Sequence, residues 1–195
     1  KQIYDWCEAH RLQLTGHLLL EGTLYVQTLS IGAAMRAYEY MQLPGVDILT
    51  ENGHGCTESN REYDTLKQCQ SVYTQMGKQW CLSEMYGCTG WDFPFEGHKT
   101  VGDWQAALGV TVRCHHLSWY TMEGEAKRDY PASIFHQSAW WRDYRLVEDY
   151  FARFGLLRSQ GSSDCAILVL NPVESVWCQI YAGWSRSLSP VSEPV

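Results

Sequence analysis

Two hydrophobic periods alternate along this chain. Residues 12–20 carry an apolar run around Leu12, Leu14, Leu18 and Leu20, which predicts a strand ending at Glu21. Leu24, Thr28, Ile31, Met35, Tyr38 and Met41 then recur at helical spacing, with Thr23 placed to cap the start and Pro44 and Gly45 placed to stop it. Residues 46–50 predict a second strand ending at Glu51, and residues 52–55 are turn chemistry. Ser59 and Glu62 have the spacing of a capping box, opening a helix whose stripe is Tyr63, Leu66, Cys69 or Gln70, Tyr73 and Met76. Gly77 closes that helix.

The third predicted strand, residues 80–82, runs out to Glu84 and opens into a loop rich in glycine and aromatics. A helix with Val101, Trp104 and Leu108 on one face follows, stopped by Gly109. Residues 110–116 predict a fourth strand ending in His115 and His116. A long polar and aromatic insertion occupies residues 117–138. Tyr144, Val147, Phe151, Phe154 and Leu157 then mark a strong helix.

Strands alternating with helices through short loops predict βαβ units and a parallel sheet. Each predicted strand tip carries a titratable group: Glu21, Glu51, Glu84, then the two histidines. That is the layout of the catalytic face of a (β/α)8 barrel of the TIM type. Such a barrel needs eight strands and about 250 residues. The fold class expected is therefore α/β, the C-terminal half of a (β/α)8 barrel, over residues 1–160. Gly161, Ser162, Ser163 and Asp164 break the pattern, and residues 165–170 predict a buried strand that starts a following α/β domain over residues 161–195. Its Ser- and Pro-rich tail, residues 185–195, reads as mobile. An open half-barrel exposes an edge, which predicts self-association.

Composition narrows the function. The chain has 195 residues, 45% hydrophobic and 19% charged, which marks a globular domain rather than a disordered one. A net charge of -7 argues against nucleic acid or an anionic membrane as partner. Nine Trp and twelve Tyr suit a site that stacks the flat apolar faces of sugar rings, and suit cut interfaces equally. The eight Cys form no CxxC pair and read as reduced thiols of a cytoplasmic protein. No run is long and apolar enough to span a membrane, and the first residue is Lys1, so the chain reads as part of a longer protein.

The segment Ser83-Glu84-Met85-Tyr86-Gly87-Cys88-Thr89-Gly90-Trp91-Asp92, followed by Lys99, Gly102-Asp103-Trp104-Gln105 and Leu108-Gly109-Val110, resembles the last third of a glycoside hydrolase barrel. The nearest pattern is that of large bacterial enzymes related to the α-L-rhamnosidases of glycoside hydrolase family 106. There a Ser-x-Ala-His-x-x-Gly-Lys-like helix precedes a strand ending in Glu. Residues 71–78 match it, with Tyr73 and Thr74 in place of Ala-His. Residues 165–172 and Trp177 resemble the start of the domain that follows the barrel in such enzymes. The resemblance implies that Glu21, Glu51 and Glu84 end the fifth, sixth and seventh strands, and that His115 and His116 end the eighth. It also implies that one catalytic carboxylate, from the fourth strand, lies before Lys1.

Glycoside hydrolysis needs two carboxyl groups. Glu84 is the first candidate for nucleophile or general base, with Glu21 and Glu51 as candidates for the acid. His17, Trp91, Asp92, His115, His116, Trp119 and Tyr120 are the candidate sugar-binding residues, and Trp140 and Trp141 are further platforms. Successive side chains on a strand point to opposite faces, so His115 and His116 should diverge. A zinc site from Cys114, His115, His116 and Cys56 or His54 has no supporting ligand spacing, and neither a metal nor another cofactor is expected. The partners expected are a carbohydrate and the remainder of the parent enzyme. The rival reading is a non-catalytic carbohydrate-binding or scaffold domain on the same architecture.

Overall fold

The computed structural model describes residues 1–49, 60–121, 123–125 and 134–179. Glu51, His54, Cys56, Ser59, the segment 129–131 of the insertion and the tail 185–195 lie outside the described residues.

Seven helices and four strands are described: α1 (Gln2–Ala9), β1 (Thr15–Gly16), α2 (Leu24–Ser30), α3 (Ala34–Tyr38), β2 (Leu43–Asp47), α4 (Asn60–Gln75), β3 (Leu82–Met85), α5 (Phe95–Ala107), β4 (Val112–His115), α6 (Arg145–Ser159) and α7 (Val173–Trp177). The strands form one parallel sheet in the order β1-β2-β3-β4, alternating with helices. One face of that sheet is the core. Val46, Ser83 and Met85 are fully buried there, packed with Tyr38, Leu66, Cys69 and Val101 from α3, α4 and α5. Alternation puts the chain neighbours of those residues, Asp47, Leu82 and Glu84, on the other face, where they are half-buried or exposed.

Several predicted boundaries shift. The first strand is two residues long, not nine, so Glu21 stands in the loop before α2 rather than at a strand tip. The helix expected over 24–41 is two helices. Thr23 caps α2 by accepting from the Val26 amide at 3.2 Å, worth about 1 kcal/mol. The chain then turns at Gly32, whose φ of +82° favours glycine. Buried Gln27 closes the gap, its side chain accepting from the Ala34 amide at 2.9 Å. At the far end of α3, Lys78 donates to the carbonyls of Tyr38, Glu39 and Met41.

Pro44 and Gly45 do not stop that helix; they belong to β2. Pro44 stands one residue before the β2–β3 ladder begins at Gly45, so its missing N–H interrupts no bond there. Gly45 is required by closeness: a Cβ there would lie 2.5 Å from the Gly16 carbonyl oxygen. The third and fourth strands begin two residues later than expected, at Leu82 and Val112.

Residues 165–170 were expected to be a buried strand. They form none among the described residues, and Ile167, Leu168, Val169 and Leu170 are about 80% exposed. An apolar run becomes a strand only when it pairs in a ladder, and residues 165–170 pair with none of the described strands. The chain is then tied back by α7: Glu174 pairs with Arg36 at 3.0 Å, and the Trp177 indole donates to the Gly32 carbonyl at 2.9 Å.

Candidate functional site at the sheet's C-terminal edge

Glu84 is the centre of a cluster drawn from all four strands. It lies on β3 between two buried residues, Ser83 and Met85, so alternation turns it to the open face. His17, just past β1, sits with Nε2 2.9 Å from Glu84 Oε2. The other nitrogen of that ring is 3.8 Å from Asp47 Oδ2, at the end of β2. His116, just past β4, brings Nε2 to 3.7 Å from the second oxygen of Glu84. Gly87 makes room for it: a Cβ there would lie 3.0 Å from the His116 ring. Cys114 pairs in register with Glu84 across the ladder and is exposed on the same face.

Electrostatics follow from that crowding. Burial works against protonated His17, but the charges of Asp47 and Glu84 outweigh it and hold the imidazole above its ordinary range. Burial pushes the Asp47 carboxyl up, and the Glu84 charge adds to this, while His17 and His116 oppose it. Burial raises the Cys114 thiol, with Glu84 adding to the effect.

Glu21 is near this cluster but turned away from its face. It is 5% exposed and accepts from the Leu18 amide at 2.6 Å, the Tyr38 hydroxyl at 3.0 Å and the Asp47 amide at 3.1 Å. Burial pushes its carboxyl up despite those three donors. Glu21 therefore braces the backbone beside His17 and at Asp47.

His115 and His116 diverge as strand alternation requires. His115 faces α6, where it bonds Glu148 at 2.9 Å beside Arg113. That outer network borders a cleft of about 280 Å³ between β4, α5 and α6. Adjacent histidines on opposite faces cannot share an ion, so the imagined zinc set does not assemble.

The aromatic candidates form their own group. Trp91 is half exposed and packs edge-on against buried Trp119, with ring centroids 5.2 Å apart. Asp92 is exposed beside Trp91, and Tyr120 is fully exposed. The loop that carries Trp91 and Asp92 is held by unusual backbone. Tyr86 and Cys88 have φ of +78° and +62°, conformations that cost about 1–3 kcal/mol each. Tyr86 keeps its place because its ring is fully buried and its hydroxyl donates to the His98 carbonyl at 3.1 Å.

Sequence reading missed Asp47 and weighed Cys114 only as a zinc ligand. Asp47 was placed inside the predicted second strand, and only the true end of β2 puts it beside Glu84. Cys114 could have been found from alternation, being two residues before His116. His17, Asp47 and Glu84 each offer a ligand atom, all within 4.8 Å of one another. One imidazole nitrogen and two carboxylate oxygens could hold a divalent cation.

No family model matches the sequence, and no curated protein matches it. Among solved structures, a rhamnosidase from Novosphingobium sp. PP1Y is similar to this chain, with a TM-score of 0.65 and 18% identity. The match covers 82% of this chain and 15% of that one. The chain thus spans a small part of the length of the protein it matches, and at that identity the likeness is one of fold. Among the described residues, no helix is long and apolar enough to cross a membrane.

Proposed function

We propose that this chain is the C-terminal half of the (β/α)8 barrel of a glycoside hydrolase, with Glu84 as its general base or nucleophile. One observation carries the reading: Glu84, Asp47, His17 and His116 converge from four strands on one edge of a parallel sheet. Catalytic groups of such barrels gather at strand C-termini. The likeness in fold to a rhamnosidase supports the same reading and makes an α-L-rhamnoside the first substrate to try.

The two carboxyl groups of a glycosidase flank the scissile bond. Asp47 and Glu84 share one imidazole, so they address the sugar from the same side. In this reading Asp47, His17 and His116 orient sugar hydroxyls or the Glu84 carboxylate, and the acid partner comes from strands that complete the barrel. Trp91 is the stacking platform, with Trp119 behind it. Residues 165–170, exposed and outside any ladder among the described residues, supply the apolar run that the following domain would pair, and the edges of β1 and β4 are where the rest of the barrel or a second copy attaches.

The intact protein that carries these residues should be screened against aryl glycosides, including α-L-rhamnoside and β-galactoside. Release of the aryl group from one of them is expected. Sugar binding without release from any of them would overturn the reading in favour of a non-catalytic carbohydrate-binding domain.

A further inference from the structure

Two unfilled features lie on different parts of the molecule. One is an apolar run. Ile167, Leu168, Val169 and Leu170 are each about 80% exposed and pair with no described strand. A contiguous exposed patch of this kind marks an interaction site. The other is a sheet edge. β4 pairs with β3, and no described strand pairs with it on the other side. Next to that edge lies the outer cleft of about 280 Å³, with Val110, Phe151 and Phe154 among its walls. Arg158 stands in the cleft at the end where β4 begins. Its charge reaches Tyr73, whose hydroxyl donates to the Gly109 carbonyl at 3.2 Å. The Arg158 Nε is buried and has no hydrogen-bond partner among the described residues.

The run fits the edge in length, in face and in charge. Residues 165–170 are as many as residues 110–115, and aligned parallel they continue the sheet in its own direction. Alternation then puts Leu168 and Leu170 beside Arg113 and His115, on the outer face where the apolar cleft lies. Ile167 and Val169 fall beside Val112 and Cys114, on the open face. Exposed Asp164, just before the run, arrives at the end of the cleft that holds Arg158. The run does not reach its own β4. Asn171, which follows it, bonds Met35 at 3.1 Å, Glu174 pairs with Arg36, and α7 packs on α2, so its end is tied beside α2 and α3. Those helices connect β1 to β2, and β4 is the opposite edge of the sheet.

We propose that, in the 195-residue chain, residues 165–170 of one copy add to the β4 edge of a second copy as a fifth parallel strand. Main-chain bonds to the edge supply affinity, and the pockets taken by alternate side chains supply register. Donor and acceptor are different patches, so each added copy brings a new edge and association runs past the dimer. The inference rests on the reading of β4 as a barrel edge and not on the chemistry of Glu84.

The test is sedimentation of the full 195-residue chain, kept reduced, over a range of concentrations. The average mass should rise beyond two copies. Leu168→Lys, at a residue exposed in the single copy, leaves the fold alone and should weaken association about tenfold or more, because it drives a charge into the cleft. Val169→Lys should weaken it less, because that side chain faces solvent on the open face. Asp164→Lys should weaken it too, and Arg158→Glu added to Asp164→Lys should restore it. If Arg158→Glu does not fold, a fluorescent peptide of residues 163–171 with Cys165→Ser replaces it. That peptide should bind the Leu168→Lys chain, whose β4 edge is intact, and the same peptide with Asp164→Lys should bind more weakly. Single copies at every concentration, or association indifferent to Leu168→Lys, would overturn the proposal. Failure of the intact protein to release an aryl group would sink the glycosidase reading and leave these masses unchanged.

Discussion

Two clusters of histidine and carboxylate lie on opposite faces of the same sheet, and they are built to different rules. The outer one is closed. Arg113 donates to Glu148 at 2.8 Å and to the Tyr86 hydroxyl at 3.1 Å, and its guanidinium stacks 4.0 Å over Phe151. Burial would raise the Glu148 carboxyl, but the His115 bond and the Arg113 charge outweigh it and hold it below its usual range. The inner cluster is open. Asp47 and Glu84 have no Arg or Lys among the described residues and meet only histidines. A carboxylate saturated by arginine is structural cement, whereas two carboxylates that share imidazoles keep acceptor capacity for a ligand. Neighbours in sequence, His115 and His116, therefore serve different ends because one residue's step changes the face.

The comparison is broken most severely at Gly45, on which the inner cluster depends. Gly45→Ala forces a Cβ onto the Gly16 carbonyl, a backbone atom that cannot yield cheaply. We expect a loss of about 3 kcal/mol in urea unfolding, with the His17 resonance displaced.

The two faces should also answer pH with opposite signs. His98 is fully buried in the outer aromatic layer, and its pKa is pushed down to about 4, chiefly by burial. The unfolded chain binds that proton at about 6.5. Stability from His98 is therefore present above 6.5 and lost as pH falls towards 4, by about 3 kcal/mol in all. His17 is raised instead. Its contribution is full below the unfolded value and disappears as pH rises through the folded one. Urea midpoints measured from pH 8 to 4 on the parent chain and on His98→Phe would separate the two slopes.

Arg113→Met tests the closed cluster alone. It takes the Arg113 donor from the Tyr86 hydroxyl and from Glu148, which keeps His115, and should cost about 2 kcal/mol. The His17 titration should not move. Trp91→Ala should have the smallest effect on folding, within about 0.5 kcal/mol, because the side chain is half exposed. In the intact protein it should weaken sugar binding without changing the pH profile.

Much of this layout was legible from residue pattern. α4, α5 and α6 lie where helical spacing of Leu66, Val101 and Phe151 put them, and the parallel order follows from strand–helix alternation. The divergence of His115 and His116 also followed from strand geometry. What failed had tertiary causes. Glu21 looked like a strand tip because Leu18 and Leu20 extend an apolar run, but those residues leave the ladder once Gly16 has met Pro44. Pro44 and Gly45 looked like a helix stop, and only the approach of β1 explains why a glycine stands there. The α2–α3 break depends on the amide of buried Gln27, which no periodicity reports. Asp47 escaped notice because a residue inside a predicted strand gives no sign of what the neighbouring strands place beside it. Residues 165–170 had the right composition for a strand and, among the described residues, no ladder to join.

The central claim is that Glu84 acts on a glycosidic bond from the shared edge of these strands. The direct measurement is kcat for an activated aryl glycoside in the intact protein and its Glu84→Gln variant, with sugar binding measured calorimetrically on the same samples. A fall in kcat of about 10³ or more with binding retained is the result expected. An unchanged kcat would contradict the account and move the chemistry away from Glu84.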